Sequence, residues 1–484
     1  MITAEDVYLD GRWVRPDDAE WTDLEDPARE EVFARVALAG PATMDAAVTA
    51  ARRAFDDGAW TSLTHAERLS YLKAMAQFLT ENAATYGDLV VQEVGLPVGL
   101  SVGGVASVAY HVAYWEQAYE GYPWAEERVG VSGVHTRITR EPIGVVAGIV
   151  PWNAPVSLSA SKIVPALLAG CTMVLKPSPL NALSLRCFAD AAEHAGLPRG
   201  VLNVVPAGIA ASDALVRHPG VDKVAFTGSD HTGKIIAGAA AETLKRVTLE
   251  LGGKSAGIVL ADAPLDRLVE TVPPGFTLNN GEACAAMTLM LVPRDRQEEI
   301  VAAVADAVGK LVVGDPRDPG TDIGPLAFRA HYTRVQKILE TAQAGGARVV
   351  AGGGRPDGLD RGFYLAPTIV CDVEPDAEIA QQEIFAPVLT VLPYDSVDDA
   401  VRIANGTAYG LSGAVFGADD AEVAAVAGRI RAGSVHLNNA LTVDIGVPFG
   451  GFKASGYGRE FGPEGMNAYV EQKATFLDGQ PFGS

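Results

Sequence analysis

A thiol is a good nucleophile only as thiolate, and it reaches a carbonyl only from an exposed turn. Cys284 closes the stretch Asn280-Gly281-Glu282-Ala283-Cys284, a short polar run with a glycine, and small neighbours (Ala283, Ala285, Ala286) leave its sulfur uncrowded. Glu250, thirty-four residues upstream in Leu249-Glu250-Leu251-Gly252-Gly253-Lys254, precedes a Gly-Gly pair. A chain can turn sharply there and leave a carboxylate pointing into a cleft. A nucleophile and a base are what attack on a carbonyl followed by hydrolysis requires. Taken alone, a cysteine among alanines is more often a small buried hydrophobe.

Three further sites carry chemistry. Lys223 to Phe226, then Thr227-Gly228-Ser229, then a helix with Gly233, reads as strand, glycine turn and helix start. Free backbone N–H groups and the positive end of the helix dipole would hold a pyrophosphate there; an ordinary turn capped by Ser229 or Asp230 is the plainer account. No convincing G-x-G-x-x-G follows a strand. Asn153 lies between Pro151 and Pro155, and an amide fixed this way can donate to a developing oxyanion, a contact worth about 3 kcal/mol of barrier. Without other evidence it is a turn residue. Lys176, in Leu175-Lys176-Pro177-Ser178-Pro179, is a cation at a strand end, or a solvated loop lysine.

These residues need a frame. From Thr172 short apolar runs alternate with helical patterns: strands at Thr172 to Leu175, Val201 to Val205 and Lys223 to Phe226, helices at Ala182 to Ala195, Ala210 to Arg217 and Thr232 to Ala241. Such alternation implies right-handed βαβ units and a covered parallel sheet, with ligands at the carboxyl ends of its strands. That places Lys176 and Ser229 beside a shared site. Beyond Gly253 a second set follows, with helices at Gln297 to Gly309 and His331 to Ala344 and strands at Val388 to Leu392, Gly413 to Phe416 and Gly433 to Leu437. Upstream, Met44 to Phe55 is helical, and from His65 a helix lines up Leu69, Leu72, Ala76 and Leu79. Tyr110 to Glu126 reads as a partly buried surface helix leading into a loop. Ile143 to Ser161 carries no charge, but Pro151, Asn153 and Pro155 would break a membrane helix, so it reads as a buried strand and turn.

Length and composition bound the rest. A chain of 484 residues exceeds one ordinary core and implies two or three domains. A hydrophobic share of 48% with 20% charged residues is that of a soluble globular protein. The net charge of −22 argues against nucleic acid as partner. Four scattered cysteines without zinc spacing argue against a disulfide framework or metal site, and with no secretory leader they indicate a cytoplasmic protein.

In order and spacing, Pro151-Trp152-Asn153, Phe226-Thr227-Gly228-Ser229, Leu249 to Lys254, the cysteine segment, Glu383-Ile384-Phe385-Ala386-Pro387 and Pro448-Phe449-Gly450-Gly451 resemble the aldehyde dehydrogenase superfamily, with likeness from Tyr8 to Tyr469. The resemblance implies an α/β fold of two doubly wound parallel-sheet domains, one Rossmann-like for the cofactor (1–122 and 141–252) and one catalytic (253–466). A small β-hairpin element (123–140 and 467–484) would join subunits into a homodimer or homotetramer. It implies oxidation of an aldehyde to the acid with NAD, through a thiohemiacetal and a thioester on Cys284. Asn153 and the Cys284 N–H would form the oxyanion hole and Glu250 the base; Lys162 would orient Asn153 or Glu250, and Glu460 would relay protons, unless it only pairs with Arg459. Ile149, Val150, Pro151, Trp152, Lys176, Ser178, Gly208, Phe226, Thr227, Gly228, Ser229, Leu251, Gly252, Glu383 and Phe385 fall at cofactor positions. Ala154, Leu158, Ser161, Val443 and Phe449 fall on the substrate tunnel, where small residues replace aromatics and suit a bulky apolar aldehyde.

The chain departs from the family pattern at four places. Pro179 stands where NAD-preferring relatives carry a ribose-binding glutamate, which leaves NADP open; Ala386 replaces a glycine. Glu282 replaces a glutamine and is expected to put a negative charge near the thiol and raise its pKa, and Leu289 replaces an arginine. Two rival readings follow: a cofactor-free thiol hydrolase, and a catalytically weakened cofactor-binding protein on the same fold.

Overall fold

The computed structural model describes residues 1–477. The part of the association element assigned to 478–484 lies outside the described residues.

Two sheets dominate. The first has eight strands, ordered Gly456–Tyr457, Arg246–Glu250, Lys223–Thr227, Val145–Ile149, Thr172–Lys176, Leu202–Val204, Val7–Leu9 and Arg12–Val14. Its middle five strands are parallel, and the additions at each edge are antiparallel. The middle strands are continuous apolar runs because helices cover both faces. Their side chains divide between two apolar clusters, Met173 and Leu175 on one face, Val145, Ala147 and Val174 on the other. The second sheet has seven strands, ordered Arg348–Ala351, Thr368–Cys371, Val388–Tyr394, Leu289–Pro293, Ala256–Val259, Ser412–Phe416 and Ser434–Leu437, of which Arg348–Ala351 alone is antiparallel. Leu289, at the start of its strand, is a buried core residue, which is why an apolar side chain serves there.

A third, antiparallel sheet joins Ala125–Val129, His135–Pro142 and Val470–Leu477, the last paired along its full length with His135–Pro142. The helix expected from His65 spans His65–Glu81 and starts on a capping box in which Thr64 and Glu67 satisfy each other's backbone N–H. Its Leu69, Leu72, Ala76 and Leu79 are buried. Tyr110 to Glu126 divides into a helix over Val108–Ala118 and the strand Ala125–Val129.

One expectation is corrected. Ile143 to Ser161 is not strand and turn throughout: after Val145–Ile149 and the turn, a helix runs over Pro155–Ala169. Pro155 stands in its first turn, where the missing N–H costs nothing, so the proline that argued against helix starts one.

Candidate active site

The strand register gathers the site. In the first sheet Ile149 lies beside Phe226, and Thr227 beside Glu250, so three neighbouring strands end at one level. The chain leaving those ends supplies Pro151, Trp152 and Asn153, then Gly228 and Ser229, then Leu251 and Gly252, to a single cavity of about 400 Å³. Cys284, Gln382, Glu383 and Phe385 complete it from the second half, with Leu158, His331, Arg334 and Tyr409.

Cys284 is half-buried on the cavity wall, whereas Cys171, Cys187 and Cys371 are buried. Its turn is held by Asn279, Asn280 and Gly281, three successive residues with φ of 58°, 60° and 75°. Asparagine tolerates that left-handed backbone and glycine prefers it. Asn280 locks the turn, donating from Nδ2 to the carbonyls of Gly95 and Pro325, both at 3.0 Å, and accepting the Gly324 N–H at 2.8 Å. Asn279 Nδ2 donates to the Asn153 carbonyl at 2.6 Å, and Asn153 Nδ2 donates to the Glu282 carbonyl at 2.7 Å. Asn153 is thereby fixed against the turn that carries the thiol.

Burial pushes the Cys284 thiol up to about 12, and the nearby Glu383 and Glu250 carboxyls add to the rise. Glu250 is buried, and neither of its oxygens has a hydrogen-bond partner among the described residues. Burial and then Glu460 hold its carboxyl well above the usual range, against the opposing pull of Lys162 and Arg459. A carboxyl in such a place keeps its proton until a reaction makes use of the base. Behind it, Lys162 is fully buried, ion-pairs with Glu460 and donates to Thr227 Oγ1 at 2.7 Å; Ser161 Oγ donates to Glu460 Oε2 at 3.0 Å. Glu460 is thus a buried partner of Lys162, not a surface partner of Arg459.

The residues fit a nicotinamide dinucleotide. Gly228, Ser229 and Asp230 face the cavity from the amino end of the Asp230–Ala241 helix, whose N-cap Ser229 accepts the Thr232 N–H at 3.3 Å. Across from them, Glu383 Oε1 accepts the Gly253 N–H at 3.0 Å, and burial pushes that carboxyl up to about 7. Phe385 (φ 60°) sets its ring edge-on to Trp152, 5.4 Å between centroids.

Other expected site residues do not line this cavity. Ile149, Val150 and Phe226 are buried beneath the cavity. Lys176 is buried at its strand end, where desolvation lowers its pKa to about 8. Ser178 caps a short turn by accepting the Leu180 N–H at 3.3 Å, and Gly208 precedes the helix Ile209–Arg217. Of the tunnel residues only Leu158 lines the cavity with Cys284. Ala154 is the N-cap of Pro155–Ala169, Ser161 is turned to Glu460, and Phe449 stacks on Phe461 at 5.8 Å. Val443, 57% exposed, lines a separate outer groove with Leu278 and Leu441. Sequence reasoning missed His331, Arg334 and Tyr409; the only signal was that His331 and Arg334 are three apart on an expected helix.

The expected effect of Glu282 is also corrected. The groups raising the thiol are Glu383 and Glu250, not Glu282. The Glu282 carboxyl turns away, accepting the Ala327 N–H at 3.0 Å, and burial pushes its own pKa well up.

A model of the "Aldehyde dehydrogenase family" matches residues 13–475. Geranial dehydrogenase of Castellaniella defragrans is 42% identical over 479 residues, 99% of this chain and 100% of that one. The structure of a Mycobacterium tuberculosis aldehyde dehydrogenase complexed with NAD+ superposes with a TM-score of 0.95 at 41% identity, covering 100% of this chain and 99% of that one. A variant of aldehyde dehydrogenase C from Pseudomonas syringae, solved with NAD+ and octanal, gives 0.92 at 40% identity, covering 98% and 96%. Family match, whole-length relatives and shared fold agree: the chain belongs to the aldehyde dehydrogenase family and is an NAD(P)-dependent aldehyde dehydrogenase.

Proposed function

We propose that this enzyme oxidises a bulky apolar aldehyde to its carboxylic acid with NAD+, using Cys284 as nucleophile and Glu250 as the base of hydrolysis. The observation that carries the assignment is the convergence of Cys284, Asn153, Glu250 and Glu383 on one cavity. Cys284 Sγ attacks the carbonyl carbon as thiolate, its proton having passed to solvent, and the developing oxyanion is received by Asn153 and the Cys284 N–H. Glu383, Phe385, Trp152 and Ser229 would hold the cofactor. When bound, the nicotinamide supplies the hydride acceptor that converts the thiohemiacetal on Cys284 to a thioester. Glu250, once it has released its own proton to solvent, takes as carboxylate a proton from the water that hydrolyses the thioester, and Lys162 with Glu460 sets the pH at which that carboxylate forms.

The substrate class rests on the relatives together with the apolar Leu158, which lines the cavity with the thiol. One relative of equal length is a geranial dehydrogenase, and a close structural neighbour holds octanal. The cofactor reading rests on neighbours solved with NAD+. We further infer a cytoplasmic homo-oligomer, dimer or tetramer, divided as 1–122 with 141–252, 253–466, and 123–140 with 467–477. The exposed Phe476 on the edge strand of the third sheet supports association through that sheet.

Cys284→Ala is expected to abolish aldehyde-dependent NADH formation. Glu250→Gln is expected to release one NADH per site and then stall, measured by rapid mixing. Full turnover in either variant contradicts the assignment, and a higher kcat/KM for acetaldehyde than for large apolar aldehydes contradicts the substrate class.

A further inference from the structure

The Glu282 carboxyl occupies a seam between three parts of the site. It is 2% exposed and lies two residues before Cys284. Its backbone carbonyl receives the Asn153 amide at 2.7 Å, while its side chain accepts the Ala327 N–H at 3.0 Å. Ala327 leads into the helix Arg329–Ala344, where His331 Nε2 stands 3.6 Å from Glu282 Oε1. His331 is itself committed. Nε2 lies 2.7 Å from the Phe385 carbonyl, which can only accept, so Nε2 carries the proton and Nδ1 is free to accept from Arg334 Nη2 at 3.4 Å. Arg334 Nη2 also donates to the Ile384 carbonyl at 2.5 Å. One buried carboxyl therefore touches the thiol-bearing turn, the start of a helix, and, through His331, the loop that carries Glu383 and Phe385.

We propose that Glu282 is a positioning residue that works only as a neutral carboxylic acid: protonated, it lets the cysteine turn, Asn153 and the Glu383–Phe385 loop pack on one another, and ionised, it forces that seam apart and switches the enzyme off reversibly at alkaline pH. This rests on the reading of Cys284 and Glu383 given above.

The surroundings decide the charge state. His331 is the one ionisable side chain recorded in contact with it among the described residues; Cys284 lies two residues on, Arg334 beyond the imidazole, and Glu383 on the loop that His331 holds. His331, the nearest, is held neutral near neutral pH, its pKa pushed down to about 4 by burial and by Arg334. Arg334 sits on the far side of the imidazole and is spent on carbonyls. Cys284 is a thiol, and Glu383 is of the same sign as an ionised Glu282. Among the described residues no lysine or arginine pairs with the carboxyl, so burial acts nearly unopposed and raises its pKa, with one N–H pulling the other way. The alkaline loss has the opposite sign to the other titrations nearby: a raised Glu250 and a raised Cys284 both gain reactivity as they lose protons.

Two measurements test this. In the wild-type enzyme, NAD+ affinity by calorimetry and kcat/KM should both fall at least about tenfold as pH rises from neutral through the alkaline range, and recover on return to neutral pH. Glu282→Gln, which keeps shape and removes the charge, should hold activity near neutral pH within about threefold and carry its affinity and kcat/KM through that range. Glu282→Ala should lose activity at every pH. Because a folded carboxyl held protonated costs stability as pH rises past its unfolded pKa, Glu282→Gln should also raise the melting temperature most at alkaline pH. A wild type with no alkaline loss of NAD+ affinity, or a folded Glu282→Gln with the wild-type alkaline limb, overturns the proposal. Neither result touches the nucleophile, which Cys284→Ala tests separately.

Discussion

Lys162 and Glu460 pair in the interior with Glu250 beside them, and the arrangement has a measurable consequence. Two carboxyls and one ammonium share a buried region, so one acid must hold a proton. Lys162 is bonded to Glu460, and Glu250 has no partner, which makes Glu250 the protonated one. Glu460→Gln removes the like charge and frees Lys162 to act on Glu250. The pH at which thioester hydrolysis rises should move lower, because a base held protonated by its neighbour loses its proton earlier without it. The same change breaks a buried ion pair and should destabilise the chain by about 3 to 5 kcal/mol in denaturant unfolding. An unchanged rise in hydrolysis would separate Glu460 from Glu250. At this scale the sequence was legible for Cys284, Glu250 and Asn153, which six motifs located, and not for His331 or Arg334. Those two are set by contacts distant in sequence, among them the Ile384 and Phe385 carbonyls some fifty residues away, which no spacing records.

The turn over Asn279 to Gly281 positions the thiol, and glycine is required at its end. A Cβ on Gly281 would come within 2.1 Å of the Pro387 nitrogen, at φ 75°. Gly281→Ala must displace either the cysteine turn or the loop after Phe385. Since misplacement by about 1 Å costs on the order of a hundredfold in rate, kcat should fall by at least about tenfold in a protein that still folds by circular dichroism. Wild-type kcat would show that the turn does not set the thiol. The elements themselves were readable where period and length agreed. Lys223 to Phe226 and Gly413 to Phe416 are strands within a residue of expectation, because apolar runs bounded by glycine or polar turns leave little choice. The helix Pro155–Ala169 was hidden because it is buried on nearly all sides and starts on a proline, signals that read equally as buried strand and turn. The edge pairing of Gly456–Tyr457 with Arg246–Glu250 was hidden as well, since it joins residues about two hundred apart.

Across the whole molecule, the two large sheets meet at the cavity and the third stands apart from it. That third sheet joins residues from the middle of the chain to Val470–Leu477 and leaves Phe476 71% exposed and Val129 61% exposed. An exposed aromatic on an edge strand is ordinarily covered by a partner. The association proposed through this sheet predicts that Phe476→Glu reduces the mass in light scattering to that of a single 50.5 kDa chain, and an unchanged mass contradicts it. This sheet was legible only through family resemblance, because its strands are polar and far apart in sequence.

The central claim is that one sulfur carries the acyl group and one carboxyl releases it. Glu250→Gln mixed with NAD+ and an apolar aldehyde, then quenched and digested for mass spectrometry, should show one acyl group per chain on the peptide containing Cys284. An acyl group on Cys171, Cys187 or Cys371, or steady NADH production with Cys284 unmodified throughout, would contradict it.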